Sequence, residues 1–274
     1  MKEILIGFDS AWTDNLKNPG AISACMIEDG KFRHFTEPRH VTFDAARQFI
    51  NDATVPADYA LVAIDQPTIV PNYSGCRPVD RAAASLISRL NGGVQPARRG
   101  GSGARMFGDA APVWRFLAAL AARESPLEAR QARTGLFLIE VFPALALPAM
   151  VPALWLRGSA AKYNPDRKKT YKQSDWREVA LGVGTFARNL AACPLADWLE
   201  TQAARSNLRK ADQDRLDAGI CLTIALAWRF GPPNKLLHIG DETAGYMATI
   251  VSDQTRHVLV TAAEKLGVAV DRAW

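Results

Sequence analysis

The stretch from Lys210 to Trp228, KADQDRLDAGICLTIALAW, constrains the fold more than any other part of the chain. As a helix it is too apolar to face water, so it has to be covered, and 48% hydrophobic residues in a 274-residue chain are enough for a core that can cover it. Yet it opens with Asp214 and Asp217, three residues apart and therefore on one face. Helical steps from Asp217 reach Cys221, Ile224, Ala225 and Trp228, a stripe that packs inward. A buried carboxylate needs a partner. The helix N-terminus itself is one explanation, since its dipole favours an acid by roughly 0.3–1 kcal/mol. The other is a site to which distant parts of the chain contribute.

Other acids stand in similar places. EILIGFD is a short apolar strand ending at Asp9, and DYALVAIDQP is another that ends at Asp65 and is stopped by Pro67. GLFLIEVFP is a third, carrying Glu140. Between the first two, AISACMIEDGKFRHFTE reads as two strands joined by Asp29-Gly30, a strong hairpin signal. TFDAARQFINDA follows as a helix capped by Thr42, with Phe43, Ala46, Phe49 and Ile50 on one face. The intervening helix makes the Asp65 strand parallel to the Asp9 strand, so both acids come to one sheet edge, where α/β proteins build sites. For any single acid, turn chemistry at a strand end is a sufficient explanation; the repeated placement is not explained that way.

Charge is unevenly spread. Cys76 to Arg105 holds six arginines and one aspartate, and Arg157 to Lys172 six basic residues and one aspartate, so each carries +5 in a chain of net +5. These segments are either solvated loops or the footprint of a polyanion. Arg77, Arg81, Arg98, Arg99, Arg105, Lys162, Lys168 and Lys169 are the candidate nucleic-acid contacts. Asn72 in VPNYSG either forms a turn or positions a phosphate. The four cysteines form no C-x-x-C pair, and the four histidines have no zinc-ligand spacing. No run reaches the ~18 apolar residues of a membrane span, and no signal-peptide pattern is visible, so the expected location is cytoplasmic.

Carboxylates brought together repel and raise one another's pKa unless a cation neutralises them. Oxygen ligands without His or Cys select Mg²⁺ or Mn²⁺, the ions that serve phosphodiester cleavage. The order of strand with acid, hairpin, helix, parallel strand with acid, and late helix opening on Asp-x-x-Asp resembles the ribonuclease H-like superfamily near the RuvC-type resolvases. GFDSAW, AIDQPTIVPN-SG-RPVDR, MFG-AAPVW, IEVFPALALP and KYNP are similar to a family known as predicted RNase H-like nucleases, a domain of unknown function numbered 429. The resemblance implies that Asp9, Asp65, Asp214 and Asp217 form the metal site, although Asp65 is one methylene shorter than the glutamate usual in the resolvases. Glu140 is either a fifth site acid or a structural partner of Arg77 or Arg81.

The expectation is thus one α/β domain over residues 1–274: a ribonuclease H-like mixed sheet flanked by helices, with a helical and loop insertion over 68–132. Its expected activity is metal-dependent hydrolysis of nucleic acid, DNA or RNA, with Asp9, Asp65, Asp214, Asp217 and Glu140 as the catalytic set. The rivals are a phosphohydrolase acting on a nucleotide or other phosphorylated small molecule, and a non-catalytic nucleic-acid-binding protein of the same fold. A two-acid glycosidase is disfavoured because the acids exceed two.

Overall fold

The computed structural model describes residues 1–10, 12–17 and 19–271. The chain opens with β1 (Lys2–Asp9), β2 (Gly20–Glu28), β3 (Lys31–Val41), α1 (Phe43–Thr54) and β4 (Tyr59–Asp65). Asp29-Gly30 joins β2 to β3, and the Thr42 hydroxyl caps α1 by accepting from the Ala45 N–H at 3.2 Å. Four helices follow: α2 (Pro78–Arg89), α3 (Ala104–Phe107), α4 (Pro112–Leu120) and α5 (Pro126–Gln131). Next are β5 (Gly135–Glu140), α6 (Pro143–Met150), α7 (Pro152–Leu156), α8 (Gln173–Asn189) and α9 (Cys193–Ala203). The chain then forms α10 (Lys210–Phe230), β6 (Leu236–Asp241), β7 (Gly245–Ile250) and α11 (Asp253–Leu266).

The first five strands make one mixed sheet in the order β3-β2-β1-β4-β5. β1 is antiparallel to β2 and parallel to β4, which is parallel to β5. Alternation assigns the two faces. Ile4, Ile6 and Phe8 of β1, with Val62 and Ile64 of β4, pack on α1 and α4 through Phe43, Ile50 and Phe116. Leu5 of β1 and Leu61 and Ala63 of β4 join the larger cluster on the other face, with Trp176 of α8 and Ile220, Ile224 and Trp228 of α10. The chain is therefore α/β, with helices on both faces of a five-stranded sheet. Among the described residues, no helix is long and apolar enough to cross a membrane.

The segment between β4 and β5 is tied into these layers. α4 belongs to the first face, while Val79, Ala83 and Leu86 of α2 pack with Leu237 and Ile239 of β6 and Leu259 of α11. The two-stranded β6–β7 sheet reaches the main sheet through Tyr246, whose hydroxyl accepts from the Glu140 N–H at 3.1 Å.

Candidate active site

One glycine sets the position of the whole site. Gly7 of β1 faces α10 so closely that a Cβ there would lie 2.1 Å from the Leu222 nitrogen and 2.3 Å from the Ala218 oxygen. α10 runs along β1 in the opposite sense, pinned at the far end by the buried Arg229–Glu3 ion pair at 2.7 Å. From Arg229 back to Asp217 is twelve helical residues, about 18 Å; from Glu3 to Asp9 is six strand residues, about 20 Å. The two lengths match, and Asp217 arrives beside Asp9. Asp65 stands in parallel register with Asp9, so both carboxylates project from the same sheet face.

Asp9, Asp65, Asp214 and Asp217 all line one cavity of about 430 Å³, with Ser10, Trp12, Gln95, Asp166, Lys210 and Gln213. A larger cavity, about 960 Å³ and lined by Tyr171, Arg177 and Arg205, contains none of these four acids. The Tyr163 hydroxyl donates to Asp217 Oδ1 at 2.7 Å and the Gln213 amide to Oδ2 at 2.9 Å. Lys210 pairs with Asp214 one helical turn along. Trp12 Nε1 donates to the Asp65 carbonyl at 3.0 Å, closing one wall. Among the described residues, no hydrogen bond reaches the carboxylates of Asp9 or Asp65.

Burial governs the electrostatics. It pushes Asp9 well above the ordinary carboxylate range, and repulsion from Asp217 and Asp65 adds to it. Asp65 is pushed the same way by burial and by Asp217. Burial moves Asp217 up to about 6, against the pull of Lys210 and the Tyr163 hydrogen bond. Burial alone would lower Lys210, but Asp9, Asp217 and Asp214 hold its ammonium above the usual value. The cluster is thus short of positive charge, with Lys210 as the cation these shifts identify inside it.

The helix-terminus explanation does not account for this arrangement. The cap is made by Asp212, whose carboxylate accepts from the Arg209 N–H at 2.9 Å. Asp214 and Asp217 lie beyond the first turn, where the dipole has faded.

The donor set suits a hard divalent cation: carboxylate oxygens, two of them without hydrogen-bond donors. The nearby Cys221 thiol is pushed well up by burial and stays protonated, so it is no competing soft ligand. The cage is not preformed, because among the described residues no three His, Cys, Asp or Glu side chains are arranged to hold a metal. Tyr163 and Gln213 occupy Asp217, and Lys210 occupies Asp214.

Two sequence expectations are corrected. Glu140 is in register with Ile64, not Asp65, so it projects from the face opposite the acids. There it accepts from Arg77 at 2.6 and 2.8 Å and from the Thr68 N–H at 3.0 Å, which makes it the structural partner of Arg77. Arg77 cannot contact a phosphate: it is fully buried, and Glu140, Asp80 and the Ile69 carbonyl take its donors.

The other basic residues divide. Arg81, Arg105, Lys168 and Lys169 are exposed. Arg98 is half-buried and donates to Ser102, and Lys162 is half-buried with its amine 3.1 Å from the Asn91 carbonyl. Arg99 is engaged in holding its loop, through the Val70 carbonyl at 2.7 Å, Asp109 at 2.6 Å and the face of Trp114. Asn72 clasps the same loop through the Ala97 carbonyl at 2.9 Å. Lys210, Gln213 and Tyr163 were missed in the sequence. Lys210 and Gln213 lie one helical turn before Asp214 and Asp217, a signal within reach; Tyr163 stands in the KYNP motif, but it is remote from Asp217 in sequence and nothing there links it to that acid.

Residues 7–241 match the model of a family described as "Protein of unknown function (DUF429)". No curated protein matches the chain, and no solved structure does.

Proposed function

The chain belongs to the DUF429 family, whose description names no reaction, and from that premise we propose that it is a metal-dependent nuclease of the ribonuclease H-like type. The observation that carries the reading is the convergence of Asp9, Asp65, Asp214 and Asp217, from two parallel strands and one helix, in a single cavity. The sheet order β3-β2-β1-β4-β5, with only β2 reversed against its neighbours' parallel core, is compatible with that fold.

Asp9 and Asp65 would hold Mg²⁺ or Mn²⁺, with Asp217 and Asp214 completing the set. Such a cation supplies neutralisation of phosphoryl charge and a more acidic water. The chain's own residues prepare the site: Tyr163 and Gln213 fix the rotamer of Asp217, and Trp12 shields the Asp65 backbone from water. Lys210 balances the acids, and with a cation bound there its ammonium would be available to a phosphate. Exposed Arg81, Arg105, Lys168 and Lys169 supply the backbone contacts for DNA or RNA, with Arg98 and Lys162 nearer the protein body.

The test is Mn²⁺ binding followed by cleavage. Mn²⁺ should raise the melting temperature of the wild type through linkage, and Asp9→Asn should largely abolish the rise while leaving the fold intact. Assayed on single-stranded, hybrid and branched nucleic acids, the wild type should then cleave at least one of them and the variant none. An identical Mn²⁺ response in both proteins removes the site; cleavage confined to mononucleotides makes the protein a phosphohydrolase instead.

A further inference from the structure

The acids have a second side. A separate cavity of about 240 Å³ shares Asp65, Gln213 and Asp217 with the first, so these residues form a ridge between two chambers. The second chamber differs in character. Ile87, Phe142, Pro143 and Ala144 supply an apolar wall, while Lys162, Asn164, Arg167 and Thr170 supply polar groups. An ammonium has three donors, so Lys162 retains two beyond its bond to the Asn91 carbonyl. The Arg167 side chain lies in an exposed position. The chamber is below the about 300–1,000 Å³ of sites for drug-sized ligands. At about 240 Å³ it is of a size for one base and not for a stretch of duplex.

We propose that this chamber receives one unstacked nucleotide of a single-stranded or locally opened substrate, its base against the Phe142–Ala144 wall and its phosphate between the basic residues and the acid ridge. The inference rests on the nuclease reading and specifies its substrate. A stacked duplex presents no free base to such a chamber, whereas a single strand does. Asn164, whose Oδ1 accepts from the Asp166 N–H at 2.9 Å, keeps its amide N–H donors for a base edge, and Thr170, whose hydroxyl donates to the Arg167 carbonyl at 3.3 Å, keeps an acceptor, while the apolar wall gives the ring a dry surface.

The experiment is an abasic scan. Short labelled single strands, each with one abasic sugar at a different position, are titrated by anisotropy in chelator against Asp9→Asn protein, in which binding is read without cleavage. One position should show a loss of affinity on the order of tenfold. Gly93→Trp, added to that protein, should flatten the scan and weaken the fully based strand by a similar factor. Gly93 lines the chamber, a Cβ there meets nothing within 4 Å, and its φ is not positive, so the fold should keep its melting temperature. Lys162→Gln, which keeps a donor for the Asn91 carbonyl, should weaken binding without flattening the scan. Strong binding with a flat scan, or a scan unchanged by Gly93→Trp, overturns the chamber and leaves the nuclease reading standing. Absence of binding to any strand overturns the chamber as well, and the nuclease reading is then decided separately by the Mn²⁺-dependent cleavage assay on the wild type.

Discussion

At Asp217, burial and function pull in opposite directions. Its carboxyl is pushed up to about 6 in the folded protein, above the ordinary Asp value near 3.9 in an unfolded chain. Between those values the folded state holds more protons, so this group's contribution to stability falls as pH rises from about 4 to about 6 and is level above. Asp217→Asn in chelator should therefore be more stable than wild type at pH 7, on the order of 1–2 kcal/mol, and lack that pH-dependent decline. Gln213 can accommodate the new amide, because its own Oε1 is buried without a partner and can turn to accept. Urea melts across pH check this; a variant less stable than wild type at pH 7 would contradict it. The same substitution should abolish Mn²⁺-dependent cleavage. Lys210→Met tests the built-in counter-ion: in chelator it should cost roughly 1 kcal/mol, as expected for a partly exposed pair. By calorimetry it should bind Mn²⁺ more tightly, since no ammonium competes. An unchanged Mn²⁺ affinity would mean that Lys210 does not occupy the cation's place.

At the scale of elements, the contact between β1 and α10 depends on Gly7. Gly7→Ala places a methyl against helix backbone rather than a yielding side chain. The loss should reach about 3 kcal/mol, the upper end for overpacking, and should remove the thermal response to Mn²⁺ by lifting Asp217 away from Asp9. A melt within about 0.5 kcal/mol of wild type, below the usual cost of overpacking, would show that α10 does not need the close approach. The strands ending at Asp9 and Asp65, the hairpin at Asp29-Gly30, the Thr42 cap and the acid-bearing helix were legible because each follows from a local period or turn. β6 was not: LLHIGD is a short apolar run without alternation, buried along nearly its whole length. α9 was hidden too, as Pro194 opens it only a few residues after α8 ends. Glu140 shows where local reading stops. A one-residue difference in the pairing of β5 with β4 decides between the acid cluster and Arg77, and that register is a property of two strands, not one.

For the whole molecule, the two basic segments act through whichever of their charges remain free. Arg105 is exposed, whereas Arg99 is spent on Asp109 and Trp114. Arg105→Ala should reduce the salt slope of nucleic-acid binding by about 0.7–0.9 without changing the melting temperature. Arg99→Ala should lower the melting temperature more than the slope. Equal effects of the two would mean that the loop has no internal division of labour. The dependence of the acid cavity on α10 also bears on how the chain is made. The sheet face that α10 covers, including Leu5, Cys25 and Leu61, is complete in sequence long before Lys210 is synthesised. At about 5–20 residues per second, that face waits roughly 7–34 s for its cover. The nascent chain therefore carries an uncovered apolar sheet face through much of its synthesis. A chain that ends before Lys210 lacks both the cover for this face and the helix that brings Asp217 beside Asp9.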